Sequence, residues 1–429
     1  MNRLVLRVRS IWNIDVHPGH GRRMWTIICV NALVTAVAYG TAPFIPLVLD
    51  EDGTTGAEIG IVLACLALGQ FAGQVPAAWL ATRVSLRLVV GFALIVEAVA
   101  ALGFAFSQSL LLFGITRLLA GFGKALVSQS TRVAVTQSVP SGVRGKAFGV
   151  LGGASMTGIM FGPAVAGVIV ALTDARIAFV ASAVLSLMAM LLLPTLRVKP
   201  SSIVPAPPPT PQADKSTERP PRHFPPPSAL VIGIMLEVFA GALLVGMFHS
   251  AWSLFLTERG AGPEIIGLAW SIFAVPYLVL APVIGSLSDR LNRKLMALLG
   301  TTVAAVTALV YPELTLIALL LCGELIEAVA GALSEPALDA MTSDASEKEG
   351  AVMVFGLIGT AESIGMLVGM VGGGFLLAYG TSVPLSVGGS VALGCCLVAG
   401  LLFFGPKRAS GSFRAMSGLS SKNAGEMCF

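Results

Sequence analysis

The chain alternates long apolar runs with short polar interruptions over its 429 residues. A bilayer crossing takes about 20 mostly apolar residues. With breaks taken at charges, Gly and Pro, twelve runs fit that requirement. They are residues 24–49, 57–81, 87–107, 110–131, 146–172, 176–196, 229–257, 264–288, 294–311, 314–341, 350–379 and 383–405. The first run is too long for a secretory signal and has no clear cleavage site, so it reads as a first span. The pattern predicts an all-α membrane protein with twelve transmembrane helices.

The loops carry a second pattern. Arg83, Arg87, Arg132, Arg144, Lys146, Arg197, Lys199, Arg290, Arg293, Lys294 and Lys348 follow even-numbered runs, whereas only Arg176 and Arg259 follow odd-numbered ones. Short cytoplasmic loops collect Lys and Arg. Both termini, themselves basic, are therefore expected in the cytoplasm, as an even number of spans requires. The stretch from Arg197 to Pro227 is rich in Pro, which favours extended, solvated backbone. The expected organisation is a tail (1–23), a six-helix bundle (24–196), a Pro-rich cytoplasmic linker (197–227), a second six-helix bundle (228–405) and a tail (406–429).

Composition narrows the function. Charged residues make up 12% of the chain and hydrophobic ones 55%, with a mean hydropathy of +0.86. A soluble domain carries roughly 25% charged residues, so most of this chain belongs in lipid. The net charge of +4 lies in short loops between apolar runs and does not indicate nucleic-acid binding. Five of the six cysteines (Cys29, Cys65, Cys322, Cys395, Cys396) fall in apolar runs, and Cys428 is in the tail. Their spacing suggests neither a metal site nor a disulfide framework. With no catalytic cluster and no nucleotide loop, the chain reads as a non-enzyme without a cofactor.

Between runs 8 and 9 lies Gly285, Ser286, Leu287, Ser288, Asp289, Arg290, Leu291, Asn292, Arg293, Lys294. An earlier, eroded copy lies 207 positions upstream: Leu80 matches Leu287 and Arg83 matches Arg290, but Thr82 replaces Asp289. Arg87 closes that earlier copy. The later loop resembles the signature loop of the major facilitator superfamily of secondary transporters, which occurs once in each half. Asn292 stands where that loop has Gly, and Asn tolerates the αL turn expected there. Arg117, Gly121, Gly123 and Ala125 resemble the family's pattern in span 4. Gly158, Gly162, Pro163, Ala166 and Gly167 resemble the span 5 signature of its drug/proton antiporter branch. The paired prolines of run 1, Pro43 and Pro46, resemble the same branch. The resemblance covers essentially the whole chain. It implies two pseudo-symmetric six-helix bundles that alternate access to a central cavity.

Charges inside hydrocarbon are expensive and usually face a polar cavity or one another. The candidates are Glu97, Arg117, Lys124, Glu237, Glu324, Glu327 and Glu362. In the family, spans 1, 4, 7 and 10 line the cavity. That implies substrate or proton roles for Arg117, Lys124, Glu237, Glu324 and Glu327, with Glu362 on span 11 beside them. Arg117 and Glu324 are again 207 positions apart, which puts them across the cavity at one depth. Glu97, on span 3, reads as structural, His249 as interfacial, Asn31 as a cavity amide, and Glu335 and Asp339 as solvated near the cytoplasmic mouth. Gly158, Gly162, Pro163 and Gly167 are expected to give span 5 a sliding face. Gly285, Asp289, Arg290, Arg293 and Lys294, with Arg83 and Arg87, are expected to brace the closed cytoplasmic side.

The leading functional expectation is an alternating-access transporter of the inner cell membrane, a monomer exporting an amphiphilic or drug-like small molecule in exchange for protons. Its partners would be that substrate, protons and the bilayer, with no nucleic acid. The alternatives are uptake of an anionic metabolite, a lipid or glycolipid flippase, and a membrane sensor or scaffold that transports nothing.

Overall fold

The computed structural model describes residues 21–139, 144–196, 226–280 and 291–405. The signature-loop residues Gly285, Asp289 and Arg290 lie outside the described residues, as do residues 1–20, 197–225 and 406–429. Among the described residues there is no strand, and twelve helices are long and apolar enough to cross a membrane. They are α1 Met24–Glu51, α2 Gly56–Ala77, α3 Leu86–Ala105, α4 Leu110–Val135, α5 Ala147–Leu172, α6 Ala175–Pro194, α7 Ala229–Glu258, α8 Pro263–Leu280, α9 Arg293–Glu313, α10 Ile317–Glu349, α11 Met353–Tyr379 and α12 Val383–Phe404.

Short polar residues start several helices by accepting from otherwise unpaired backbone N–H groups. Thr55 and Glu58 form a capping box at α2. Ser109, Asp174 and Ser228 cap the helices that follow them. Asn292 corrects an expectation. Its backbone is extended (φ −73°, ψ 104°), and its side chain accepts from the Lys294 N–H at 3.1 Å. Asn therefore serves as a helix cap at this position, not as an αL turn.

The largest difference from the hydrophobic pattern is α10, which continues to Glu349 where the apolar run ends at residue 341. Its 33 residues span about 50 Å, well beyond a bilayer core of about 30 Å. The added turns hold Asp344, Glu347 and Lys348, which are good or tolerable in a solvated helix. Gly350 ends it at φ +98°, a conformation that disfavours a side chain.

The two bundles repeat their packing. In the first, α1 packs on α5 and α6, and α3 on α4 and α6. In the second, α7 packs on α11 and α12, and α9 on α10 and α12. The bundles join through α5 on α8 and α2 on α11, two contacts exchanged by the same shift of six helices. The repeat extends to single atoms. A Cβ added to Gly158 or Gly162 of α5 would strike the carbonyl oxygens of Ala32 and Ala36 on α1. At the 207-position offset, Gly365 and Gly369 of α11 meet the carbonyls of Phe239 and Leu243 on α7 in the same way.

We call the end where α1 begins and α12 finishes the terminal side, and the opposite end the far side. At the far side one apolar core spans both halves, from Phe44, Ile45 and Ile59 to Trp252, Ile266 and Met370. Towards the terminal side the cores draw apart, with Met156 of α5 packed against a second-half cluster around Tyr277 and Met296. Met24, Val89 and Leu151 belong to a cluster drawn only from the first half, and Val231, Met341 and Phe403 to one drawn only from the second. The halves therefore meet at the far side and part towards the terminal side.

Candidate functional site

The far-side closure is made by two helix crossings. On α5 and α8, a Cβ on Gly167 would lie 2.7 Å from the Pro263 carbonyl oxygen, and one on Gly267 would meet the Pro163 carbonyl. On α11 and α2, a Cβ on Gly374 would lie 2.5 Å from the Gly56 carbonyl oxygen, and one on Gly60 would lie 2.6 Å from that of Met370. All four pairings recur at the 207-position offset. Pro163 and Gly167 thus face the other half, as a sliding surface requires. Gly158 and Gly162 do not, because they pack on α1 within their own half.

Beneath this closure α10 carries a row of carboxylates. Counted from Ile317 at 1.5 Å per residue, Glu324 and Glu327 lie about 10–15 Å in, and Glu335 and Asp339 about 27–33 Å in. Glu324 is 5% exposed and sits beside the Trp252 indole. Neither its Oε2 nor the indole N–H meets hydrogen-bond geometry. Glu327 accepts from the Tyr311 hydroxyl at 3.1 Å. Glu335, deep in the protein yet accessible, accepts from Tyr277 on α8 at 3.1 Å. Its charge also faces Asp339 and Glu362, so α8, α10 and α11 converge on it. Glu335 and Asp339, expected only to be solvated at the mouth, therefore belong to this row.

The first half presents cations. Lys124 on α4 is half-buried, with its ammonium 4.4 Å from the Tyr39 ring centroid, a cation–π contact with α1. His249 on α7 faces Lys124 and Arg117 electrostatically and packs edge-on against Trp270 at 4.9 Å. It is thus inside the seam between the halves, not at the membrane interface. Its Nδ1 and the Val245 carbonyl are 2.8 Å apart.

Other expected site residues turn away from the seam. Glu237 is fully buried among α7, α9 and α12, beside Thr301 and Cys396. Its helix borders the cavity, but this side chain is on the other face. Asn31 donates to the Ser155 hydroxyl at 2.7 Å and the Leu151 carbonyl at 3.3 Å, tying α1 to α5. Arg117 is 6% exposed and turned into the first half, where it shares a small cavity with Glu97. Among the described residues Arg117 and Glu324 form no ion pair with each other. Glu97, read from its helix number as structural, is therefore the neighbour that the sequence pattern missed. The signal available was its charge within an apolar run.

Among the described residues, Arg293, Lys294 and Arg83 have contacts within their own halves. Arg293 pairs with Asp344 at 2.8 Å, and Lys294 donates to the Phe403 carbonyl at 2.7 Å. Arg83 lies over the Trp79 ring at 4.8 Å, and Arg87 is exposed.

The family model described as Major Facilitator Superfamily matches residues 27–257 and 230–423. The chain belongs to the major facilitator superfamily. Among curated proteins it is similar to Multidrug resistance protein 2 of Bacillus subtilis (strain 168), 23% identical over 164 residues, which is 38% of this chain and 41% of that protein. It is also similar to the class H Tetracycline resistance protein of Pasteurella multocida, 25% identical over 170 residues, 40% of this chain and 42% of that one. The Quinolone resistance protein NorA of Staphylococcus aureus (strain MRSA252) is 20% identical over 179 residues, 42% and 46% of the two chains. The chain thus spans less than half the length of these relatives. Over whole chains the fold is like that of a bacterial homolog of the human lysosomal transporter Spinster, in an inward-facing and occupied conformation. That likeness has a TM-score of 0.68 at 14% identity and covers 91% of this chain and 97% of that one. A POT family transporter in complex with 5-aminolevulinic acid gives 0.67 at 13% identity, covering 91% and 97%. At these identities the likeness shows the fold alone.

Proposed function

We propose that this superfamily member is an alternating-access secondary transporter that exports an amphiphilic, drug-like compound from the cytoplasm in exchange for protons. The observation that carries the reading is the pair of glycine crossings that closes the far side while the largest terminal-side clusters are each drawn from one half. A rocking of one half against the other about those crossings exchanges the closed end. With the terminal side in the cytoplasm, as the loop cations favour, the conformation is inward-facing. The carboxylate row on α10 supplies groups for proton binding between the two ends. The names of the three curated relatives, each a drug-resistance protein, support export of a drug-like compound. Uptake of an anionic metabolite loses support, because Arg117 is turned away from the seam.

Reconstituted protein with a pH-sensitive dye inside the vesicles tests the reading. Adding a transported compound from a panel of amphiphiles should move protons in the wild type. Glu324→Gln should abolish accumulation driven by the pH gradient while keeping substrate exchange. If Glu324→Gln accumulates substrate with the wild-type pH dependence, coupling through Glu324 is wrong. Glu327 and Glu335 are then the groups to replace.

A further inference from the structure

Glu97 lies inside the first bundle, away from the carboxylate row. It is 5% exposed, and neither of its carboxylate oxygens has a hydrogen-bond partner. Its place on α3 is made by Gly123 of α4, where a Cβ would lie 2.9 Å from the Glu97 Cγ. Next to it is a cavity of about 30 Å³ whose polar wall includes Glu97, Arg117, Thr41, Thr116 and Ser182. Arg117 is itself 6% exposed, and its Nε–H has no partner. A carboxyl group and a guanidinium thus line one small cavity without touching, each with unsatisfied polar atoms.

An ionised carboxylate cannot remain in such a place without a partner. Apolar cavities stay dry, but polar ones take water once they offer about 10–15 Å³ per molecule. This cavity has room for about two. The charges around Glu97 are few. From α4, Lys124 acts on Glu97 and is itself held over Tyr39 of α1, while Arg117 shares the cavity wall. Behind Arg117 is Cys65 of α2, and His249 of α7 faces both cations from the other half. α6 contributes Ser182 and no titratable group to the cavity.

We propose that one or two water molecules in this cavity bridge Glu97 to Arg117, and that Glu97 is a proton-binding residue of the first half. On release the proton passes from the Glu97 carboxyl to a bridging water and leaves through the water. The remaining carboxylate is neutralised by the Arg117 guanidinium, which keeps all of its own protons. Binding a proton removes a negative charge that faces Lys124 and lines the same cavity as Arg117. It therefore strengthens the cationic field of the first half felt at His249 and at the seam. The inference goes beyond the transport reading and does not depend on it.

Infrared difference spectra of the full chain in vesicles, recorded between low and high pH, test this directly. The wild type should show a pH-dependent carboxylic C=O component that Glu97→Gln loses and Glu324→Gln retains. Arg117→Lys should keep the component but shift its titration towards a different pH. A Glu97→Gln spectrum that superimposes on the wild type overturns the proposal. If Glu97→Gln does not fold, Glu97→Asp is read in its place: a displaced C=O component supports the proposal, and an unchanged one overturns it. The dye assay on the same vesicles keeps the two readings apart. A wild type that moves no protons on adding any compound sinks the export reading, while loss of the band in Glu97→Gln leaves this one standing.

Discussion

At the residue scale, the two cations that break the loop-charge pattern, Arg176 and Arg259, are both engaged by backbone carbonyls. Arg176 donates to Ala105 O at 3.0 Å and Ser107 O at 2.8 Å, and pairs with both Asp52 oxygens at 2.6 Å. Arg259 donates to Leu314 O at 2.9 Å and Pro312 O at 3.0 Å, and lies 3.8 Å over the Phe255 ring. Each guanidinium fork satisfies carbonyls left open where a neighbouring helix ends. Arg176→Ala is expected to destabilise the protein by about 2 kcal/mol, since the hydrogen bonds are charge-assisted but only partly shielded from water. Arg176→Lys should not restore it, because an ammonium cannot reproduce the fork. Thermal unfolding of the purified variants in detergent measures both. At this scale the sequence reveals which residues are out of place in lipid but not which way they point. Lys124, Glu324 and Glu327 were legible because a charge in an apolar run demands a reason. Glu237, Asn31 and Glu97 were assigned by helix number, whereas a rotation of one or two residues about the helix decides which neighbour each meets.

At the element scale, the glycines of α5 divide into two groups with different consequences. Gly162 is packed onto the α1 backbone, in contact with Ala36 within the same half. Gly162→Val should therefore act as overpacking of a static interface, costing about 1–3 kcal/mol. The yield of folded protein should fall. Gly267, across from Gly167, lies between the halves. Gly267→Val should fold normally but disfavour far-side closure. Labelling of a far-side cysteine by a membrane-impermeant thiol reagent should rise several-fold relative to the parent. If Gly162→Val instead folds fully and only changes that labelling, the static assignment is wrong. The span 5 glycine pattern was legible as a close-packing face. Which part of it moves was not, because the helix turns one stretch towards α1 and the next towards α8. The cap at Asn292 and the extension of α10 past its apolar run were missed for a related reason. Hydrophobicity marks where lipid ends, while hydrogen bonding marks where a helix ends.

At the scale of the whole molecule, the twelve spans and the two-fold repeat could be read from run lengths and from the 207-position offset. The closed end could not, because one sequence supports both arrangements and conditions shift their populations. The structure makes a testable choice between them. In a variant freed of native cysteines, of which Cys29 and Cys322 are exposed, a cysteine at Glu335 should label from the terminal side. A cysteine at Phe44, in the shared far-side core, should resist labelling from either side. The two crossings at that core have one more consequence. Gly56 and Gly60 stand at the positions of Pro263 and Gly267, and Pro163 and Gly167 at those of Met370 and Gly374. Each half therefore carries both surfaces of the joint, one on its second helix and one on its fifth. Two copies of a single half could dock face to face as a C2 homodimer through the same pair of contacts. The inter-half joint is thus isologous in form although it lies within one chain, as expected if a half-length ancestor worked as a dimer before its two copies were fused.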